Sequence, residues 1–135
     1  MKKMGSSKKG YTIYEYMTTD GLTPVGCFIN GLDSKIRKKI FKQLYILENG
    51  RNPLREPHVK SFRVEKYKGL YELRTKIKKV IRIIFYINRE EEIVLLNAFT
   101  KKHERATEKA LSTALFRVNA LKTCISDKIP FERGD

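Results

Sequence analysis

Two arginines stand where a strand-forming chain does not ordinarily put them. Arg74 closes the run L-Y-E-L-R, and Arg82 interrupts I-R-I-I-F-Y. A guanidinium set among apolar residues costs stability unless it is paired or faces a groove. It also grips phosphate oxygens through a planar fork and stays charged at any working pH. A third basic group, Lys101 and Lys102, follows the strand-like N-A-F-T and leads directly into His103. Glu72 sits two residues before Arg74. Such residues together suit phosphoryl chemistry: cations to stabilise charge on phosphorus, and a carboxylate or imidazole to move protons. The plainer alternative is a Glu72–Arg82 cross-strand ion pair on a wet sheet face, with solvated lysines beside it.

Composition bounds the setting. The chain has 135 residues, with 29 Lys plus Arg against 15 Asp plus Glu, two Cys and no Trp. That length fits one domain with a single core. Lys2, Lys3, Lys8 and Lys9 lie in a Gly/Ser-containing start, and without them residues 11–135 still carry +10. An excess of this size favours a polyanionic partner, nucleic acid before an acidic protein. The longest apolar run, Ile83 to Ile87, is far short of the roughly 20 residues of a membrane span. No secretory signal pattern is evident, so a cytoplasmic protein is expected. Cys27, Cys124, His58 and His103 lack neighbours at metal-ligand spacing, which argues against a zinc site and for reduced thiols.

The elements that must position these groups follow from pattern. Residues 11–17 (Y-T-I-Y-E-Y-M) predict a first strand. Thr23-Pro24 opens a short helix to about Asn30, and Gly31 breaks it. Asp33 caps a second helix whose Ile36, Ile40, Leu44 and Leu47 form one apolar stripe. Asn49-Gly50 predicts a left-handed stop, and Pro53 and Pro57 mark residues 50–58 as a loop. Strands are expected over 59–64, 70–75, 80–87 and 92–99, joined by short polar links at 76–79 and 88–91 into an antiparallel meander. From about Glu104 a last helix carries Ala106, Ala110, Ala114, Val118 and Leu121 on one face.

The fold class is therefore α+β: a small single domain with an antiparallel-rich sheet, two N-terminal helices packed on it and a C-terminal helix. Residues 1–10 read as a disordered basic segment, 11–125 as the domain, and 126–135 as a frayed tail. Strand parity sharpens the site. If Leu73 shares a buried face with Ile81 and Ile83, then Glu72, Arg74, Arg82, Ile84 and Tyr86 lie on the other.

The order of these segments carries a resemblance. G-L-Y-E-L-R (69–74), I-R-I-I-F-Y-I (81–87) and I-V-L-L-N-A-F-T-K-K (93–102), with an Ala/Leu-rich helix after them, resemble the RelE/HigB superfamily of toxins. F-I-N-G-L-D (28–33), K-I-F-K-Q-L-Y-I-L-E-N-G (39–50) and P-L-R-E-P-H-V-K-S-F (53–62) are similar to its phage-related HigB-like branch. The likeness covers about residues 11–122.

What the resemblance implies is a microbial-ribonuclease-like fold and the toxin of a type II toxin–antitoxin system. Such a toxin enters the ribosome and cuts mRNA, with neither metal nor other cofactor. The implied partner is a HigA-like antitoxin of helix-turn-helix type, through which alone the toxin meets operator DNA. The implied site comprises Arg74, Arg82, Lys101 and Lys102, with Glu72 or His103 as the base. Some relatives carry a late Tyr in the terminal helix, where this chain has Arg105-Ala106-Thr107-Glu108. Tyr71 should alternate onto the Leu73 face as a core aromatic. Two other readings stand beside the nuclease: a basic module that blocks translation without cutting, and a DNA-binding regulator, for which no recognition helix is evident.

Overall fold

The computed structural model describes residues 10–50, 54, 58–77 and 79–132. The disordered segment expected over 1–10 lies outside them except for Gly10, as does most of the 50–58 loop. In chain order the elements are β1 (Thr12–Met17), α1 (Pro24–Asn30), α2 (Ser34–Asn49), β2 (Val59–Ser61), a 3-10 turn (Glu65–Tyr67), β3 (Leu70–Ile77), β4 (Lys79–Ile87), β5 (Glu92–Thr100), α3 (Glu104–Lys122) and β6 (Asp127–Pro130).

Local chemistry explains most boundaries. Pro24 sits in the first turn of α1, and the Asp33 carboxylate accepts the Ile36 N–H to cap α2. The α2 stripe is buried as its period requires, Ile36, Ile40, Leu44 and Leu47 all being closed to solvent. Gly50 ends α2 in extended backbone (φ −82°, ψ 160°), not the left-handed stop expected. Glycine is needed there for room: a Cβ would lie 2.8 Å from the Ile46 carbonyl oxygen, which accepts the Gly50 N–H.

One six-stranded sheet has the order β2-β3-β4-β5-β1-β6. The β2–β5 meander is antiparallel as expected, but β2 stops at Ser61 and β3 continues to Ile77, tightening the hairpin. The strand β1 then pairs with β5 in parallel, Ile13 facing Ile93. The frayed tail expected over 126–135 is corrected at 127–130: β6 adds to β1 antiparallel, and Phe131 N–H bonds the Ile13 carbonyl. This strand satisfies the edge of β1 that would otherwise lie open.

The sheet is covered on both sides. One core joins α1 and α2 to Ile13, Leu73, Ile81, Ile83, Phe85, Ile93 and Leu95. The other joins α3 to Tyr16, Leu70, Ile84, Val94 and Leu96. Ile84, expected across from Leu73, is fully buried because α3 lies over it. Tyr71 stacks on Phe85 in the first core, with ring centroids 5.3 Å apart. Among the described residues no helix is long and apolar enough to cross a membrane.

Candidate functional site

Arg74 and Arg82 are direct cross-strand partners on β3 and β4, on the sheet face that α3 covers further along. Two guanidiniums side by side repel, and directly opposed like charges weaken a sheet. Glu72, two residues back on the same face, answers both. Arg74 Nε donates to Glu72 Oε1 at 3.1 Å, while Arg82 Nη1 donates to Oε1 at 3.2 Å and Oε2 at 3.1 Å. The carboxylate is 1% exposed, whereas the Arg82 and Arg74 side chains are 14% and 33% exposed. The ion pair weighed from sequence thus exists, but its carboxylate is buried and each arginine keeps a path to solvent. Arg82 Nε is buried with no acceptor among the described residues, which leaves Arg82 the less satisfied guanidinium.

Neighbouring strands add charge that sequence reasoning missed. Lys60 on β2 is the register partner of Glu72, and Lys76 lies two residues beyond Arg74, so both share the arginine face and both are exposed. A strand over 59–64 was expected, but not the register that sets Lys60 opposite Glu72. Phe99 on β5 is the partner of Arg82. It reaches this face through a β-bulge: Ile84 pairs with Asn97 but Phe85 pairs with Leu95, leaving Leu96 as the extra residue. Simple alternation from Ile93 and Leu95 would have turned Asn97 and Phe99 to the α1/α2 side. The terminal helix holds the bulge from above, Arg117 Nη1 donating to the Leu96 carbonyl at 2.8 Å and Asn97 Nδ2 to the Ala110 carbonyl at 3.2 Å.

The end of β5 brings in the remaining candidates. Lys101 Nζ contacts Glu104 Oε2 at 2.8 Å at the start of α3. That contact, and the Lys101 charge behind it, holds the exposed Glu104 carboxyl below the usual range, with Arg82 and Lys60 adding their fields. His103 caps α3: its Nδ1 accepts the Ala106 N–H at 3.2 Å, which assigns the ring proton of the neutral form to Nε2. Lys102 is exposed and lines a depression that also involves Phe28 of α1 and Lys79. The structure therefore gathers Glu72, Arg74 and Arg82 in direct contact and sets Lys101 beside them through Glu104. Among the described residues neither His103 nor Lys102 forms a hydrogen bond or ion pair with the arginine pair.

The opposite end of this sheet face is bordered by grooves. Four residues along β4, roughly 13 Å at strand rise, Tyr86 borders two grooves that flank the last turns of α3. Glu90 lines both, and Asp127 lines one. Burial raises the Tyr86 phenol above its ordinary value, and the Glu90 and Glu92 charges add to this. Lys128 borders the first groove, and Lys68, Arg89 and Lys122 border the second, so charges of both signs line this end. No cluster of three or more His, Cys, Asp or Glu side chains able to hold a metal occurs among the described residues.

The arrangement can bind a phosphodiester and stabilise added negative charge on it. No curated protein matches the chain. A family model does, the phage derived protein Gp49-like family (DUF891), over residues 27–119. This span runs from α1 nearly to the end of α3 and takes in the arginine pair, its carboxylate and the bulge that brings Phe99 beside them; the chain belongs to the Gp49-like family, a family of the RelE/HigB toxin type.

Proposed function

We propose that this protein is the toxin of a type II toxin–antitoxin pair, of the HigB-like branch, and that it inhibits translation by cutting mRNA on the ribosome. The observation that carries the reading is the cross-strand Arg74–Arg82 pair held by a buried Glu72. A sheet that needed only a polar face would not desolvate a carboxylate to keep two guanidiniums in register. In this reading Arg82 and Arg74 contact the scissile phosphate and stabilise the phosphorane, and Glu72 positions them. Lys101 exchanges its exposed Glu104 contact for a phosphate, a small loss because such surface pairs are weak. Lys60 faces the same groove. To protonate the leaving 5′-oxygen, His103 would first take a proton on Nδ1 and give up the Ala106 cap, so it enters the reaction only as the imidazolium.

The setting follows from the same chemistry. A folded domain carrying this much positive charge is held in the cytoplasm by an acidic segment of a HigA-like antitoxin, which reaches operator DNA on behalf of the pair. Ribosome and mRNA are the targets once that antitoxin is lost.

Arg82→Ala is the direct test. Loss of one well-placed transition-state donor costs about 2.7–4 kcal/mol, or roughly 100- to 1000-fold in rate. Growth inhibition and discrete mRNA 5′ ends should both disappear at equal soluble expression. Arg82→Lys should restore only part, because lysine keeps the charge and loses the fork. An Arg82→Ala chain as toxic as the parent would remove this site from the mechanism. One observation favours the second reading, a basic module that blocks translation without cleavage: Glu72 is wholly engaged and His103 Nδ1 is used as a cap, so neither offers a ready base. Growth arrest by the parent without discrete 5′ ends would select it.

A further inference from the structure

Beyond the arginine pair, the same end of the sheet carries a depression of about 800 Å3 lined by Phe28, Lys79, Val80, Ala98, Phe99, Thr100, Lys101 and Lys102. Its volume falls within the roughly 300–1,000 Å3 range of small-ligand clefts. Its apolar members are only part-buried, so Phe28, Val80, Ala98 and Phe99 offer ring and methyl surface to solvent. Three lysines stand at the rim, and no carboxylate is among the lining residues. Among the described residues neither Lys79 nor Lys102 forms an ion pair. Phe99 and Lys101 belong to the arginine site as well: Phe99 is the register partner of Arg82, and Lys101 N–H bonds the Val80 carbonyl. By strand alternation Val80 and Phe99 lie on the arginine face, whereas Phe28 and Ala98 pack on the α1 side. The depression thus bends round the ends of β4 and β5 from one face toward the other.

We infer that this depression is a nucleotide subsite, which takes the base and phosphate of single-stranded RNA next to the phosphodiester held by Arg74 and Arg82. The inference rests on the nuclease reading and adds to it where the strand runs. Charge complementarity selects the occupant. An apolar floor with a cationic rim is the pattern of single-strand binding, in which bases stack on rings while the backbone tracks lysines. An acidic peptide would use the lysines, but its carboxylates do not supply the wide aromatic face that a nucleobase lays on Phe28. Lys102, outside the hydrogen-bond network of the arginines, acquires a role here as a phosphate-holding side chain. Lys79 joins it from the start of β4, and Phe28 from α1, an element that sequence reading gave no part in the site.

The test uses the full chain, a fluorescein-labelled hexaribonucleotide made uncleavable by 2′-O-methylation, and a translating extract with a reporter mRNA. Phe28→Leu keeps the apolar packing of α1 but removes the ring, and Lys79→Glu reverses one rim charge without touching either core. Base stacking on an aromatic side chain implies about a 5- to 150-fold loss of oligonucleotide affinity in Phe28→Leu. Lys79→Glu should weaken binding and flatten its salt dependence. Both should slow mRNA cutting and change which nucleotide is favoured beside the cut. If the parent binds and cuts while both variants match it, the subsite is overturned and the nuclease reading stands. If the parent neither binds the hexamer nor cuts mRNA, the nuclease reading falls and takes the subsite with it. Should Lys79→Glu lose affinity while Phe28→Leu does not, and poly-glutamate displace the hexamer, the depression is a general anion patch and the inference is overturned.

Discussion

Two buried glutamates on opposite faces of one sheet meet opposite fates. Glu72, on the α3 face, is ringed by Arg74 and Arg82. Glu15 on β1 is 6% exposed on the α1 side, and its one hydrogen-bond donor among the described residues is the Gly26 N–H at 3.0 Å. Burial raises the Glu15 carboxyl above the usual range, and the amide bond offsets only part of that. The same side chain is therefore a structural anion in one place and a strained one in the other. A buried carboxylate is stable where guanidiniums share its desolvation, and a lone amide from a seven-residue helix is a weaker substitute.

The sharpest way to break the contrast is Glu72→Gln. It leaves two arginines directly opposed with nothing to neutralise them. Removing one partner of a buried ion pair costs about 3–5 kcal/mol, and the solvent paths of Arg74 and Arg82 put this case near the lower bound. Urea denaturation should show a loss of about 3 kcal/mol, and a loss under 1 kcal/mol would mean the cluster is as weak as a surface pair.

Glu15→Gln should act the other way and more mildly. The amide keeps an acceptor for Gly26 and removes the buried charge. Because the folded carboxyl is raised, the folded state holds the proton more firmly than the unfolded chain. Stability of the parent therefore falls as pH rises through the usual carboxylate range toward the raised folded value. The thermal midpoint of Glu15→Gln should exceed the parent's at neutral pH and converge with it in acid. A constant difference between the two proteins from acid to neutral pH would show that the Glu15 charge is not the cause.

The smallest effect concerns Gly26, where an added Cβ would lie 3.0 Å from Glu15 Oε1. Gly26→Ala gains up to about 1 kcal/mol of helix propensity and spends it displacing the carboxylate. In the parent its effect on the denaturation midpoint should be close to nil. Placed on Glu15→Ala, the same substitution should become stabilising by about 1 kcal/mol. Equal effects in the two backgrounds would mean that Glu15 and Gly26 do not constrain each other.

The environment of Glu15 is not legible from its neighbours in the chain, though much else is. The α2 stripe, its Asp33 cap, the Pro24 start of α1 and the β3–β4–β5 meander all follow from residues within one or two turns of each other. So does the shared face of Glu72, Arg74 and Arg82, because alternation has period two and the hairpin between β3 and β4 is short. Lys60 and Phe99 were not found by these means. One needed the register between β2 and β3, which alternation does not fix across an intervening loop, and the other follows a bulge that reverses the alternation of β5.

The amino-acid sequence by itself determined the α+β class, the helical faces and the alignment of the two arginines, since each depends on local periodicity and short connections. Tertiary structure alone decided the parallel pairing of β1 with β5, the return of residues 127–130 as β6, and the burial of Ile84 beneath α3. It also decided that Arg117 and Asn97 would hold the Leu96 bulge and so turn Phe99 toward Arg82. These features join residues far apart in the chain. Their energy comes from desolvation and from hydrogen bonds between α3 and the sheet, which exist only once helix and sheet have met.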